Sequence, residues 1–328
     1  MKNSDYVINL LAPYEPQLPI EQLVMEINKL FHAAEASDYD RRHPEVYNQL
    51  PPLWQEMIQQ ALERSQSKVW RIFDFGCGTG FEAEQLIHNL RPGAIAQLTC
   101  YDPSPDMLER CRAKISPLFP NALFISDLKD CPANIASYNL LTTNSLLHHL
   151  PDPLLTISNL LPLLTSDVIW IAGHEPSSRF YKSPECMKMY NQFLQERKWS
   201  KFLSLEKYFE KLKQIVGLES EPAEQAAKQA FHQGLFKKQP PALVIDRLVD
   251  FHVAHSLEEA TTGRGFDFEI LQQDWMKSWE LVWVKTYSFM GAFYEQDLNE
   301  KWASYCQDIS CKFPKDGANF CTIWRRVG

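Results

Sequence analysis

Residues 69–80 read VWRIFDFGCGTG, and this stretch decides the fold. The first seven residues are mostly β-branched or aromatic, which suits a strand that is buried on both faces. Gly76, Gly78 and Gly80 follow at once. Glycine can turn the chain at positive φ and lets a ligand approach the backbone without a Cβ in the way. Because residues 81–90 then have helical apolar spacing, the stretch predicts a buried strand, a ligand-binding loop and a helix whose first N–H groups face that loop.

The spacing of the glycines separates two classes of nucleotide cofactor. The dinucleotide fingerprint is G-x-G-x-x-G, but the loop here is G-x-G-x-G, and Phe81 occupies the position of the third dinucleotide glycine. Asp74 lies two residues before the first glycine. Its carboxylate would oppose a pyrophosphate but would suit a ligand that carries an ammonium group. A glycine turn that binds no ligand is the alternative interpretation.

An acid followed by G-x-G-x-G resembles the first motif of the class I (Rossmann-like) methyltransferases that depend on S-adenosyl-L-methionine (SAM). The resemblance implies that Gly76, Cys77, Gly78 and Gly80 pack on the methionine half of SAM and that Asp74 reaches its amino group. It also implies an α/β fold with a doubly wound, seven-stranded, mostly parallel sheet. The resemblance is strong over residues 69–173 and weak near the C-terminal end.

The second predicted strand, residues 95–101, is followed by an acid that suits a ribose. Asp102 lies about 20 residues beyond the glycine loop, where a carboxylate can accept hydrogen bonds from both ribose hydroxyls. A helix cap is the alternative role for this residue. In the resembled family the residue after this acid contacts the adenine, so Pro103 and Met107 are predicted to supply apolar packing.

The third and fourth predicted strands, residues 122–125 and 138–143, are also followed by polar residues. The resemblance implies that Asp127, with Leu128 beside it, binds the adenine amino group; a solvated turn is the alternative. It also implies that Asn144 begins the segment that lines the methyl-transfer side of SAM.

Residues 148–152 read HHLPD, which resembles the H-H-x-x-D segment of small-molecule class I methyltransferases. His148 and His149 are adjacent, so on a helix their side chains point about 100° apart and at most one faces the substrate. Either imidazole is a candidate general base. The alternative is a structural role, in which the histidine holds the loop or contacts SAM.

The fifth predicted strand, residues 167–173, ends at His174 and Glu175. Ligands of doubly wound sheets lie beyond the carboxyl ends of the strands. His174 could therefore remove a proton near physiological pH, Glu175 could hold a cationic acceptor, and Arg179 is a further candidate for acceptor binding. The alternative is that the His174–Glu175 pair anchors the following turn together with Pro176 and Arg179.

The rest of the chain is predicted to cover and complete this core. Residues 1–66 form an N-terminal helical lid with helices at 20–34 and 53–62, and residues 67–176 form the SAM-binding core. Residues 177–265 form a helical insertion between strands five and six that covers the acceptor pocket. Residues 266–328 complete the sheet with strands at 279–289 and 319–325 and a helix at 292–305. The lid candidates are Tyr39, Asp40 and Tyr47, of which Tyr39 and Tyr47 are predicted to contact the substrate, although the same segment could simply cap the surface of the sheet.

Composition limits the class of protein. The 328 residues carry a net charge of −8 with a pI of about 5.6, and this acidic balance disfavours nucleic-acid binding. Eight cysteines without C-x-x-C pairing indicate reduced thiols and a cytoplasmic protein. No signal peptide or membrane span is predicted. No metal site is predicted either, because His252 and His255, three residues apart, have no further ligands nearby. A homodimer is compatible with these features.

The sequence therefore predicts an enzyme that moves a methyl group from SAM to an N or O atom of a small molecule in a biosynthetic pathway. A protonated amine acceptor must first lose a proton, whereas a carboxylate or a phenol needs almost no base. One alternative is methylation of a quinone or lipid precursor, because HHLPD also resembles that group. The other is a SAM-binding sensor or interaction protein without methyl transfer.

Overall fold

A computed structural model describes residues 4–132, 137–202, 222–251, 265–275, 277–291 and 298–327. These residues form a sheet of seven strands in the order β3-β2-β1-β4-β5-β7-β6, in which β7 is antiparallel to both of its neighbours. The pairs β1–β2, β1–β4, β2–β3 and β4–β5 are parallel. The strands are Trp70–Phe75 (β1), Ile95–Tyr101 (β2), Leu123–Ile125 (β3), Tyr138–Asn144 (β4), Leu164–Pro176 (β5), Trp279–Tyr287 (β6) and Asn319–Arg326 (β7). The predicted α/β fold with a mostly parallel seven-stranded sheet is confirmed.

Helices cover both faces of this sheet and extend beyond its carboxyl edge. They are Ser4–Leu11 (α1), Ile20–Glu35 (α2), Tyr39–Arg42 (α3), Pro44–Arg64 (α4), Phe81–Asn89 (α5), Pro105–Ile115 (α6), Pro153–Asn159 (α7), Ser178–Lys182 (α8), Pro184–Phe202 (α9), Pro222–His232 (α10), Ala242–Val249 (α11), Phe268–Trp275 (α12) and Glu300–Lys312 (α13). None of the helices described is both long and apolar enough to cross a bilayer.

Alternating side chains of the strands enter two separate cores. On β5, Ile169 and Ile171 belong to the core that α4, α5 and α6 cover, whereas Trp170 lies in the core on the other face. In that second core Trp170 packs against Trp275 of α12 and Trp324 of β7, with ring centroids 5.0 and 5.9 Å away. This period of two is the pattern of strands buried on both faces.

Helix α4 is longer than predicted and belongs to the sheet layer. The sequence predicts a helix at 53–62 after Pro51 and Pro52, but α4 already begins at Pro44 and runs through both prolines. Each internal proline removes an intrahelical hydrogen bond. Burial of Leu50 and Trp54 against the sheet core continues the helix across this point. A part of the predicted N-terminal lid is therefore a component of the core.

Helices α1, α2, α10 and α11 form what we call the helical cap. Their apolar faces share one hydrophobic core, in which Leu23 and Ile27 of α2 pack with Ala226 of α10 and with Ile245 and Leu248 of α11. The lid and the insertion were predicted as separate segments, 1–66 and 177–265. In the structure helices from these two segments share one core, although about 200 residues of sequence separate them.

Several predicted boundaries differ from the structure. Helix α7 ends at Asn159 and is followed by a 3₁₀ turn over Leu161–Leu163. The predicted helix at 292–305 overlaps α13, and its residues 292–297 lie outside the described residues. His252 and His255 also lie outside the described residues.

Candidate functional site

The three glycines after β1 all have positive φ, but they meet different surroundings. A Cβ at Gly76 would lie 2.8 Å from Leu146, and one at Gly80 would lie 2.9 Å from the Sγ of Cys111. A Cβ at Gly78 would meet nothing within 4 Å. Gly76 and Gly80 therefore permit close packing within the protein, whereas Gly78 leaves open space beside the loop.

Asp102 holds this loop from the end of β2. Its Oδ2 accepts a hydrogen bond from the N–H of Gly78, and its Oδ1 accepts one from the N–H of Ser104, both at 2.9 Å. The side chain is buried, and this burial raises the pKa of Asp102. The carboxylate thus fixes the position of the open glycine and remains at the edge of the space beside it.

We call that space the glycine-loop cavity; its volume is about 100 Å³. Six of the predicted cofactor residues line it, namely Gly76, Gly78, Asp102, Pro103, Met107 and Asn144. Helix α2 lines the opposite side with Met25, Asn28 and His32, none of which the sequence predicts as a site residue. The predicted loop and strand ends are therefore brought together, and a cap helix closes over them.

Asp74 lies beneath the loop and lines neither this cavity nor the larger one described below. It is completely buried, and its Oδ1 accepts a hydrogen bond from the hydroxyl of Thr142 at 2.8 Å. Its Oδ2 has no hydrogen-bond partner among the described residues. Burial, with Cys111 and Asp102 nearby, holds the pKa of Asp74 well above its usual range.

Cys77 also points away from the cavity. Its side chain is buried in the core beside Cys100 and Cys111, and the three sulfur atoms lie within 4.8 Å of one another. Burial raises the pKa of the Cys77 thiol. Only the backbone of Cys77 is thus part of the loop that faces the open space.

Asp127 and Leu128 lie farther along the same edge of the sheet. The Oδ1 of Asp127 accepts a hydrogen bond from the N–H of Lys129 at 2.9 Å, and its side chain is exposed. Leu128 packs on the core of the other face. Neither residue lines a described cavity beside the loop, so the adenine contact of Asp127 stays a prediction.

A second cavity adjoins the first. We call it the histidine cavity; its volume is about 460 Å³, and the histidines that line it are His32, His43, His148, His149 and His174. Four residues line both cavities, namely His32, Tyr39, Ser145 and His149. The boundary between the two spaces is therefore where a ligand in one would approach a ligand in the other.

Glu175 lies behind this boundary and is completely buried. Its Oε1 accepts hydrogen bonds from the N–H groups of Leu146 and Leu147 at 2.9 and 2.8 Å, and its Oε2 accepts from the N–H of His148 at 3.3 Å. The Nδ1 of His148 lies 2.9 Å from the same Oε2. The prediction that Glu175 holds a cationic acceptor is wrong for this structure, because the carboxylate is buried and anchors the turn after β4.

The two adjacent histidines make different contacts. Burial alone would lower the pKa of His148, but the hydrogen bond and the charge of Glu175, with Asp250 beyond, raise it. The Nδ1 of His149 lies 2.7 Å from the carbonyl oxygen of Val249. Their ring centroids are 4.0 Å apart. Both rings therefore line the histidine cavity, although only His149 reaches the shared boundary.

His174 lies on the far side of the histidine cavity. Its φ is 53°, in the left-handed region that non-glycine residues seldom adopt, and its Nδ1 lies 2.6 Å from the hydroxyl of Tyr287. Arg179 lines neither cavity. Its guanidinium lies 3.1 Å from Glu269 and 3.5 Å from Asp267. In this structure Arg179 therefore joins α8 to α12, and its predicted acceptor contact is not observed.

The two predicted lid tyrosines have separate positions. Tyr39 lines both cavities. Tyr47 donates a hydrogen bond from its hydroxyl to Asp40 at 2.6 Å and lies 2.9 Å from the hydroxyl of Thr79 in the glycine loop. Lys114 of α6 donates to both Asp40 and Tyr47 at 2.9 Å. Tyr47 and Asp40 thus fasten the N-terminal segment to the loop, and only Tyr39 is placed to contact a ligand.

Glu35 and His32 form a pair that was not predicted from the sequence. The Nδ1 of His32 lies 2.8 Å from Oε1 of Glu35, and the Nε2 of His43 lies 3.5 Å from its Oε2. Burial alone would raise the pKa of Glu35, but the hydrogen bonds from His32 and His43 lower it to about 2. A histidine and a glutamate three residues apart on one helix were the available signal. Glu35 is thus a buried carboxylate that orients an imidazole at the boundary.

Replacing Glu35 with glutamine is expected to make stability less dependent on acid pH. The folded-state pKa of about 2 lies below the ordinary 4.5, so the carboxylate stabilises the fold above pH 4.5 and loses this effect as the pH falls toward 2. The shift corresponds to about 3 kcal/mol. Urea unfolding should show Glu35→Gln to be less stable than wild type by up to that amount at pH 5 to 6, with the difference shrinking toward pH 3. Glu21→Gln, on the exposed start of the same helix, should show the same stability as wild type at every pH. If Glu35→Gln and wild type had the same dependence of stability on pH, the role of the pair would be refuted.

Part of the chain matches a known protein-family model. Residues 73–169 match the family model described as "Methyltransferase domain". This segment runs from β1 through the glycine loop into β5, within the part of the chain that carries the predicted resemblance. No curated protein matches the chain significantly in sequence.

Several solved structures are similar to the chain. The methyltransferase in complex with the Trm112 methyltransferase activator of Haloferax volcanii is 11% identical, with a TM-score of 0.48, over 90% of this chain and 98% of that one. The plantazolicin methyltransferase BpumL in complex with SAH is 16% identical, with a TM-score of 0.44, over 94% of this chain and 99% of that one. The N-methyltransferase NodS of Bradyrhizobium japonicum is 10% identical, with a TM-score of 0.38, over 84% of this chain and 87% of that one.

Proposed function

We propose that the protein transfers a methyl group from SAM to a small molecule held in the histidine cavity, because residues 73–169 match the family model described as "Methyltransferase domain". One observation carries this proposal. The glycine-loop cavity and the histidine cavity meet at His32, Tyr39, Ser145 and His149, so a cofactor in the first and an acceptor in the second would be adjacent.

The residues around the loop fit SAM. Gly78 leaves open space at the backbone, and Asp102 offers carboxylate oxygens at the edge of that space. Met107 supplies an apolar wall for the adenine ring of the cofactor. Asp74 is buried below the loop and lines neither cavity, so its predicted contact with the amino group of SAM stays a prediction. SAM, when bound, supplies a methyl group on a sulfonium, which is a strong electrophile.

The protein's own contribution is to orient the acceptor, exclude water and remove a proton where the acceptor carries one. His32 is the base that we propose, because it lines both cavities and its Nδ1 lies 2.8 Å from the carboxylate of Glu35, which orients the ring. His148, His149 and His174, which the sequence suggests as bases, also line the cavity and stay predictions.

Without a bound metal ion, the charge of the histidine cavity favours an amine as acceptor. Among the described residues that line it, Glu35, Asp246 and Asp250 are acidic, whereas Arg42 is the one lysine or arginine. A negative lining stabilises a cationic ligand and disfavours an anionic one. A quinone or a lipid precursor without an amino group would gain nothing from this charge.

The test combines binding with turnover. Calorimetric titration with S-adenosylhomocysteine should show binding, and isotope-labelled SAM should label members of a panel of small primary and secondary amines in preference to phenols and carboxylates. Absence of binding by folded protein would contradict the cofactor assignment. Binding without labelling of any acceptor would favour a SAM-binding sensor instead.

A pair of glycine variants tests whether the open space at Gly78 is the cofactor site. Gly78 and Gly93 both have positive φ and open space where a Cβ would lie, but Gly93 lies on the turn before β2. Alanine at either position should cost about 1 kcal/mol of stability from backbone strain. Only Gly78→Ala is expected to weaken S-adenosylhomocysteine binding, by about ten-fold or more, because only its methyl group enters the cavity. Equal affinities for the two variants would show that the ligand does not approach Gly78.

A further inference from the structure

The buried Glu175 gives His148 the orientation of a metal ligand. The Nδ1 of His148 faces the Oε2 of Glu175 at 2.9 Å, and a carboxylate accepts hydrogen bonds, so Nδ1 carries the proton. The lone pair of the neutral ring is then on Nε2. Metal-binding histidines commonly donate their other ring N–H to a carboxylate or to a backbone carbonyl, which fixes the ring and raises its basicity.

His149 donates its ring N–H to a backbone carbonyl instead of a carboxylate. Its Nδ1 lies 2.7 Å from the carbonyl oxygen of Val249, which can only accept, so this ring also carries its proton on Nδ1. The two imidazoles are held side by side, with centroids 4.0 Å apart. Two independent buried acceptors thus give adjacent histidines the same tautomer.

Asp250 brings a carboxylate to this pair from the end of α11. Its Oδ1 lies 4.0 Å from the Nδ1 of His149, which is too long for a hydrogen bond. One ligand atom from each of His148, His149 and Asp250 lies within 4.8 Å of the others. The Asp250 side chain is 53% exposed, so its carboxylate can rotate toward a metal ion held by the two rings.

We propose that His148, His149 and Asp250 bind a divalent transition-metal ion in the histidine cavity. Two imidazole nitrogens and one carboxylate oxygen suit zinc or ferrous iron better than magnesium or calcium, which prefer oxygen ligands. All three residues line the cavity of about 460 Å³, so water or an acceptor atom can occupy a further coordination position. The sequence does not indicate such a site, because Asp250 is about 100 residues from the histidines.

Binding can be measured without cofactor or acceptor, so this proposal is independent of methyl transfer. The protein, stripped with a chelator and dialysed, is titrated with Co²⁺ while its visible d–d absorption is recorded, and with Zn²⁺ by calorimetry. One equivalent of metal with nitrogen and oxygen ligation is expected. His148→Ala and Asp250→Asn should each weaken binding by about ten-fold or more, whereas His232→Ala, an exposed histidine on α10, should not.

Asp250→Asn is the decisive variant, because this half-exposed residue can lose its charge without loss of the fold. Unchanged metal affinity in that variant would overturn the proposal, as would the absence of stoichiometric binding by wild type. A sulfur-to-cobalt charge-transfer band would also overturn it, since that band would assign the metal to the buried Cys77, Cys100 and Cys111. Loss of binding in both ligand variants with normal affinity in His232→Ala would support it.

Discussion

Asp102→Ala is expected to weaken S-adenosylhomocysteine binding by about 100-fold or more. The carboxylate accepts hydrogen bonds from the N–H groups of Gly78 and Ser104 and lies at the edge of the glycine-loop cavity. Alanine removes both the anchor of the open glycine and the acceptor proposed for the ribose hydroxyls. Hydrogen bonds to a charged group contribute about 1.5–3 kcal/mol each, so two of them account for a loss of this size.

The measurement is calorimetric titration of the two proteins at one pH, after circular dichroism has shown that the variant is folded. Asp106→Ala is the matched control, because Asp106 is an exposed acid in the first turn of α6. It removes the same charge four residues away and should retain affinity within about three-fold. Wild-type affinity in folded Asp102→Ala would remove Asp102 from the cofactor site.

Glu175→Ala is expected to reduce the free energy of unfolding by about 3–5 kcal/mol. The variant leaves the buried N–H groups of Leu146 and Leu147, and that of His148, without their acceptor. It also removes the group that raises the pKa of His148, so burial should then lower that pKa below its ordinary value. Urea unfolding measures the first effect, and NMR titration of the imidazole measures the second.

Glu280→Ala is the comparison for Glu175. Glu280 lies on β6 and pairs with Arg325 at the surface, where a single ion pair contributes little. Its loss should change stability by less than about 1 kcal/mol. If Glu175→Ala were no more destabilising than Glu280→Ala, the carboxylate would not be the anchor of the turn after β4.

The sheet could be predicted from the sequence because buried parallel strands have few alternatives. Runs such as residues 95–101 and 138–143 are apolar, short and bounded by turn residues, and the structure places β2 and β4 there within one residue. The start of α4 could not be predicted in this way. Its internal prolines are a local signal for a break, and packing of Trp54 on the sheet, which is a tertiary effect, outweighs that signal.

The cofactor side of the site could also be predicted, because its residues follow strand ends at fixed spacing. The acceptor side could not. His32 and Glu35 lie on an amphipathic helix whose polar face resembles an ordinary surface, and the cavity that it faces is completed by residues from Ser145 onward, more than 100 positions away. The sequence predicts Glu175 as a ligand because it follows the fifth predicted strand, residues 167–173, but local sequence does not show that three N–H groups of another segment surround it.

The helical cap imposes an order on the folding of the chain during its synthesis. Helix α2 is made early, yet its apolar face packs against Ala226, Ile245 and Leu248, which are made about 200 residues later. Such distant contacts form slowly, because the entropy of closing the intervening chain is lost before they form. On the ribosome the strands from β1 to β5 are therefore available for pairing while α2 still lacks its partners. The wall that α2 gives to both cavities is completed only after most of the polypeptide has emerged, so a nascent chain is expected to pair β1 to β5 before its binding site is complete.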